Sequence, residues 1–317
     1  MELRNKRILV TGGAGFLGRH LVERLERAGC QHVIVPRRAE FDLTHPDAVW
    51  LLLRQARPQV VIHLAALVGG IQANRAEPGT FIHKNLAMGT HLIDASSRLG
   101  VEKFVLIGTI CSYPKLTPVP FRESDLWNGY PEETNAPYGL AKKVLAIQLQ
   151  AYHQQFGLNG INLLLVNLYG PGDNFDPATS HVVPGLIRKC DEARQSGAPV
   201  VKAWGTGRPT REFLYVEDAA RAIQLAAETL NSPEPVNVGS GEEISIVDLA
   251  RLIAFKIGFR GRIQFDSSQP DGQPRRRLEV SRAWELFGFR AATSLPDGLD
   301  KTLEWYLSQQ RTLPCAA

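Results

Sequence analysis

The nine residues VTGGAGFLG, Val10 to Gly18, close the apolar run of KRILV and lead into RHLVERLERAG, whose apolar positions recur at helical spacing. Glycines at 12, 15 and 18 permit a tight turn, close approach of backbone to a diphosphate, and close packing of a helix on a strand. The same turn holds Phe16 and Leu17, and the helix that starts there presents its amide-bearing N-terminus to negative charge. Three glycines alone are a weak signal. Between the first strand and first helix of an alternating chain they are a strong one, and they predict a dinucleotide site at Gly12, Gly15, Phe16, Leu17 and Gly18.

The alternation extends well beyond that turn. Short apolar runs occur in HVIVP (32–36), QVVIHLA (59–65), KFVLI (103–107) and INLLLVNLY (161–169), with amphipathic stretches near 16–28, 46–56, 79–99 and 139–156 between them. Strands apolar on both faces, separated by helices, predict an α/β fold with a Rossmann-type doubly wound parallel sheet. After Pro171 the texture changes: loop-rich PGDNFDPATS, a helix near 182–196, Gly/Pro-rich WGTGRPTREF, a strand in VNVGSG, and ISIVDLARLIAF, which Ser245 and Asp248 are spaced to cap. This predicts a smaller, interleaved substrate-binding lobe. The boundaries expected are 1–170 and 212–242 for the cofactor-binding domain, and 171–211 with 243–317 for the lobe.

Composition excludes several classes. The chain has 317 residues, 44% hydrophobic and 21% charged, which suits an ordinary globular protein with a sizeable core. Its 36 basic and 32 acidic residues are dispersed, giving a formal charge of +4 that fits small anionic ligands, and no aromatic-and-basic motif calls for nucleic acid. Cys30, Cys111, Cys190 and Cys315 lack disulfide or zinc spacing, and the eight histidines lack metal-ligand spacing, so a reducing compartment and no metal are expected. No signal segment or membrane-length apolar run is present, and the reading is cytoplasmic, with no membrane partner.

Past the second strand, where a carboxylate would bind the ribose of NAD, stand Arg37 and Arg38. Guanidinium groups pair with a 2′-phosphate, so NADP is expected in preference to NAD. Asp42 and Leu43 are placed beside the adenine, and Ala65 and Ala66 at the end of the third strand line the cofactor groove. Further on, Tyr138 and Lys142 open a helix four residues apart, on one face. An ammonium there is expected to lower the tyrosine pKa and make its hydroxyl a usable acid or base.

With TGGAGFLG, HLAA (63–66), Tyr138 with Lys142, REFLYVEDAA (211–220) and VNVGSGE (236–242), the sequence resembles the extended short-chain dehydrogenase/reductase family over nearly its whole length. The resemblance implies that Thr109, after the fourth strand, binds the substrate oxygen. LVGGIQAN (67–74), GTICSYP (108–114), APYGLAKK (136–143), NLYGPGDNFDPATSHVVPGLI (167–187) and WGTGRPTREF (204–213) resemble the branch that acts on a GDP-linked 4-keto-6-deoxy-mannose, epimerising C3 and C5 and reducing C4 with NADPH. That likeness implies Cys111 and His181 as the epimerising pair, and Tyr138, Lys142 and Thr109 as the reducing set.

A cysteine and a histidine suit the task, because both titrate near neutral pH with modest tuning and a C4 ketone acidifies the hydrogens on both adjacent carbons. Asn167, Asn174, His181, Lys189, Trp204 and Arg211 are expected to meet the GDP-sugar. Cys30 and Cys190 read as packing, and the run Arg275 to Arg277 as a solvated charged face. The family likeness also implies a homodimer built on the helices near 79–99 and 137–156.

Overall fold

The computed structural model describes residues 1–269 and 271–312, and Cys315 lies outside them. Six strands form one parallel sheet in the order His32–Ile34, Arg7–Thr11, Val60–His63, Lys103–Thr109, Gly160–Leu165, Pro235–Val238. Every residue of Val60–His63, Lys103–Thr109 and Gly160–Leu165 is buried, because helices cover both faces. On one face Leu21 and Leu25 of the Phe16–Arg27 helix pack with Ala219 and Ile223 of Val216–Thr229. On the other, Leu52 and Leu53 of Pro46–Ala56 join Leu92 and Ile93 of Pro78–Arg98 and Leu145 and Leu149 of Ala136–Phe156.

The chain reverses its direction of travel across the sheet between Arg7–Thr11 and Val60–His63. A crevice outside the carboxyl ends of the strands at such a reversal is where open α/β sheets bind ligands. The glycine turn stands at that crevice.

Two expectations needed adjustment. The run 161–169 is two strands: Gly160–Leu165 stays in the large sheet, while Asn167–Tyr169 leaves it to pair with Thr210–Tyr215. Val166 is the hinge, its N–H donating to Val238 O as the chain departs. Unbroken apolarity gave no hint of this, since both pieces are covered by protein. A short helix, Ile71–Ala76, also precedes Pro78–Arg98.

Beyond the large sheet, Thr210–Tyr215 carries Glu243–Ser245, Arg275–Arg276 and Asn167–Tyr169, and Val200–Trp204 pairs in parallel with Arg262–Asp266. A separate core of Ile187, Cys190, Leu249, Ile253 and Leu299 sits beneath them. The Ile246–Ile257 helix starts where expected, with Ser245 Oγ accepting from Asp248 N at 3.1 Å. Among the described residues no helix is long and apolar enough to cross a membrane, and no group of three His, Cys, Asp or Glu is placed to hold a metal ion.

Candidate active site

One cleft of about 1000 Å³ runs from the glycine turn across the strand ends to the second lobe. Every residue singled out from the sequence as a site residue lines it, from Gly12 and Arg37 at one end to His181, Trp204 and Arg211 at the other. The fold therefore joins residues separated by up to 199 positions (12 to 211) along the chain.

The cofactor half is built by close approach. Gly12 has φ +74°, and a Cβ there would lie 2.6 Å from Ala65 N; one on Gly18 would lie 2.5 Å from Gly13 Cα. Only glycines let the helix and the third strand close on the turn this way. No side chain caps the Phe16–Arg27 helix, and its first turn holds no acidic residue. The uncapped amides of that turn border the cleft, an arrangement suited to a diphosphate.

Arg37 and Arg38 are exposed at the cleft rim. Arg38 Nε reaches Asp42 Oδ2 at 3.8 Å, a loose surface pair. Asp42 is itself held in its loop by Thr44, whose N–H and Oγ1 donate to Oδ1 at 3.0 and 2.7 Å. These hydrogen bonds lower the Asp42 pKa. An anionic dinucleotide with an added phosphate fits this donor set: uncapped amides, two exposed guanidiniums and no opposing acidic residue in the turn.

The catalytic half depends on one tight junction. The fourth strand ends at Thr109, and the chain makes a single 3-10 turn, Ile110–Ser112, that carries Cys111. Thr109 Oγ1 accepts from Cys111 N at 3.2 Å and caps that turn. Ser112 Oγ donates to Gly139 O at 3.0 Å, pinning the turn onto the Ala136–Phe156 helix one residue beyond Tyr138. A Cβ on Gly139 would stand 2.9 Å from the Cys111 carbonyl carbon and closer still to its oxygen. Gly139 is thus the residue that lets Cys111 sit against Tyr138.

The electrostatics of Tyr138 differ from the expectation. Burial first, and the neighbouring Cys111 second, push the Tyr138 hydroxyl well above the usual tyrosine range. Lys142 does not offset this, because burial pushes its own pKa down to about 8. Desolvation governs both groups, and Tyr138 keeps its proton at neutral pH. Beneath them, burial and then the Lys142 charge hold His63 well below the usual histidine value, and its Nδ1 lies 2.8 Å from Thr11 Oγ1.

His181 is the N-cap residue of the Val182–Ser196 helix. Its side chain retains exposed surface in the cleft yet is crowded by protein, and that desolvation lowers its pKa below the ordinary histidine value. Lys189, two turns along the helix, donates to Lys202 O at 3.1 Å and lies 5.9 Å from the centre of the Trp204 ring. Arg211 donates to Thr210 O at 2.7 Å and Asp271 O at 3.1 Å, and burial, reinforced by Arg276, pushes its pKa down to about 10. Asn167 donates to Glu212 O at 2.9 Å. Asn174 is largely occupied by its own loop, donating to Thr179 Oγ1 and accepting from Asp176 N.

Asp173, Asn135 and Arg276 are among the cleft residues not singled out from the sequence. Asp173 borders the cleft with Oδ2 unpartnered, and burial raises its pKa to about 7. Asn135 stands at the start of the catalytic helix, its Nδ2 3.3 Å from Glu132 Oε2. Arg276 corrects the reading of 275–277 as a solvated face: Arg275 is exposed and pairs with Glu243, but Arg276 is buried and its Nη1 lies 3.5 Å from Cys111 Sγ. Because Arg275–Arg276 is a short strand, successive side chains point to opposite sides, and that two-residue alternation was the signal available.

Residues 8–239 match the model of the NAD dependent epimerase/dehydratase family. A GDP-L-fucose synthase from Sinorhizobium fredii is 44% identical over 307 residues, 96% of this chain and 97% of that protein. Among solved structures, a GDP-6-OMe-4-keto-L-xylo-heptose reductase from C. jejuni superposes with a TM-score of 0.92 at 29% identity, over 98% of this chain and 99% of that one. A GDP-L-fucose synthetase from Naegleria fowleri bound to NADP gives 0.87 at 29% identity, over 96% and 95%. With the parallel sheet, the glycine turn and the Tyr138–Lys142 helix, these likenesses place the chain in the NAD dependent epimerase/dehydratase family, among the extended short-chain dehydrogenases/reductases.

Proposed function

We propose that this protein is an NADPH-dependent epimerase/reductase that converts GDP-4-keto-6-deoxy-D-mannose to GDP-L-fucose, inverting C3 and C5 and then reducing C4. The observation that carries this reading is the junction at Gly139, which sets a thiol suited to proton abstraction against a tyrosine suited to proton donation, in one cleft with His181. A simple reductase has no use for the thiol. The GDP-L-fucose synthase and the NADP-bound synthetase similar to this chain support the choice of sugar and cofactor.

In this reading residues 1–170 and 212–242 serve the cofactor, and 171–211 with 243–317 the substrate. The amides of Gly15 to Gly18 hold the diphosphate, Arg37 and Arg38 the 2′-phosphate, and Asp42, Leu43, Ala65 and Ala66 the groove. Bound there, NADPH supplies the hydride for C4. The chain's own residues do the rest. Lys189, Trp204 and Arg211 hold the GDP portion, with Asn167 and Asn174 beside it, and Thr109 Oγ1 donates to the C4 oxygen.

Cys111 removes the proton from C3 or C5, the bonding pair moves into the C4 carbonyl as an enolate, and His181 delivers a proton to the opposite face. Thiolate with imidazolium holds the same number of protons as thiol with imidazole, so the pair enters each inversion with one proton to give. Tyr138, held protonated by burial, then protonates the C4 oxygen as reduction proceeds.

Two copies pair through the helices near 79–99 and 137–156. Val144 and Ile147, 51% and 52% exposed on Ala136–Phe156, support that face as the contact.

The test is turnover. Purified protein, GDP-4-keto-6-deoxy-D-mannose and NADPH are expected to yield GDP-L-fucose with stoichiometric NADPH oxidation. Retained NAD with interconversion of sugars at C4 and no net oxidation would instead identify a sugar 4-epimerase and overturn the assignment.

A further inference from the structure

We propose that Arg276 is a positioning residue for the epimerisation, using Nη1 to hold the sulfur of Cys111 as a thiolate aimed at the sugar carbon it deprotonates. The inference rests on the reading of Cys111 as the epimerising base.

The guanidinium is committed on three sides. Nη1 lies 3.5 Å from Cys111 Sγ, Nε donates to Gln273 Oε1 at 2.8 Å, and Nη2 stands 4.0 Å from Glu132 Oε2. Its side chain is 7% exposed, too little for water to hold it. Each anchor is itself fixed. Gln273 Nε2 donates to Lys115 O at 2.7 Å, tying it to the loop just after Tyr113-Pro114. Glu132 Oε2 accepts from Thr134 Oγ1 at 2.5 Å and Asn135 Nδ2 at 3.3 Å, at the threshold of the Tyr138 helix.

A purely structural buried arginine is neutralised by a well-seated carboxylate, since an unpaired buried charge is costly. Here the nearest carboxylate stands at the outer limit of an ion pair, and Glu132 is already engaged by Thr134 and Asn135. Arg276 registers beside Arg211 across the strands, and both lie near the thiol, with the Glu132 and Asp271 carboxylates the acidic groups that act on Arg211. Asp271 is turned to Thr206, whose N–H and Oγ1 donate to its two oxygens at 2.7 Å. Nη1 of Arg276 is the guanidinium nitrogen left to the Cys111 sulfur. In the step itself the C–H proton forms the S–H bond, the electron pair moves to the C4 oxygen, and His181 loses its proton to the opposite face. Solvent exchange restores the pair.

The test uses the full chain with GDP-4-keto-6-deoxy-D-mannose in heavy water without NADPH, so that deuterium entering C3 and C5 reports epimerisation alone. Cys111→Ala sets the floor. Arg276→Gln is expected to slow deuterium entry at saturating substrate by about tenfold or more, the value of one charge-assisted hydrogen bond, with kcat rather than KM affected. Alkylation of the Cys111 peptide by iodoacetamide, read by mass spectrometry, is expected to slow in parallel, because the thiolate is the reacting form. Arg276→Lys is expected to recover part of both rates, since the charge returns without the fork.

Exchange and alkylation within twofold of wild type in Arg276→Gln, with exchange abolished in Cys111→Ala, would overturn the role of Arg276 and leave that of Cys111 standing. Undiminished exchange in Cys111→Ala would overturn both. Should Arg276→Gln fail to fold, Arg276→Lys decides alone: both rates reduced supports the proposal, and wild-type rates refute it.

Discussion

Replacing Gly139 with alanine adds one methyl group at the point where the Cys111 turn rests on the Tyr138 helix. That methyl carbon would stand 2.9 Å from the carbonyl carbon of Cys111. The obstructing atoms are backbone, so no side chain can swing aside, and the turn must lift away from the helix by a distance on the order of 1 Å to restore ordinary contact. Lifting it loosens the Ser112 Oγ to Gly139 O hydrogen bond, now 3.0 Å.

Overpacking of this kind costs about 1–3 kcal/mol, offset by about 1 kcal/mol from the better helix propensity of alanine. The fold should survive with a melting temperature lower by about 4–8 °C at most. Catalysis should not, because misplacing a reacting group by about 1 Å costs on the order of 100-fold. Since Thr109 and Cys111 lie on one side of the junction and Tyr138 on the other, deuterium entry at C3 and C5 and NADPH oxidation should fall together. A Gly139→Ala protein that runs both steps at wild-type rates would show that the junction does not set the geometry.

Replacing both Arg37 and Arg38 with alanine should weaken NADPH binding by about tenfold or more while sparing NADH, measured by fluorescence titration; equal losses would remove them from the 2′-phosphate. The Lys142 ammonium, with its pKa lowered by burial to about 8, is present below that pH and lost above it. The kcat/KM for reduction should therefore decline as pH rises through 8, and a rate still climbing from about pH 8 to 9.5 would contradict that role. Light scattering should give twice the 35.0 kDa chain mass at micromolar concentration, with Val144→Glu plus Ile147→Glu shifting it toward the single-chain mass; a wild-type particle of one chain mass would rule the dimer out.

The sequence was most legible where local geometry and chemistry coincide. The glycine turn between a strand and a helix can do little but approach a diphosphate, and the runs at 60–63 and 103–109, apolar on both faces but for His63, Lys103 and Thr109 at their ends, point to a sheet covered on both faces. It was least legible where a role depends on residues distant along the chain. Nothing near residue 276 indicates that its guanidinium reaches the thiol of residue 111, 165 positions away. The split at Val166 was hidden because apolarity is the same on both sides. The sign of the Tyr138 shift was misjudged because spacing reveals a neighbouring ammonium but not the burial that desolvates both partners.

The central claim is that one cleft houses two separable chemistries, proton exchange by Cys111 with His181 and reduction assisted by Tyr138. It is tested most directly by running the complete reaction in heavy water with NADPH and locating deuterium in the product by NMR. Wild-type protein should give GDP-L-fucose labelled at C3 and C5. Cys111→Ala should bind NADPH normally yet incorporate little deuterium, whereas Tyr138→Phe should still exchange but reduce about 10²- to 10⁴-fold more slowly. Full labelling at C3 and C5 by the Cys111→Ala protein would contradict the account.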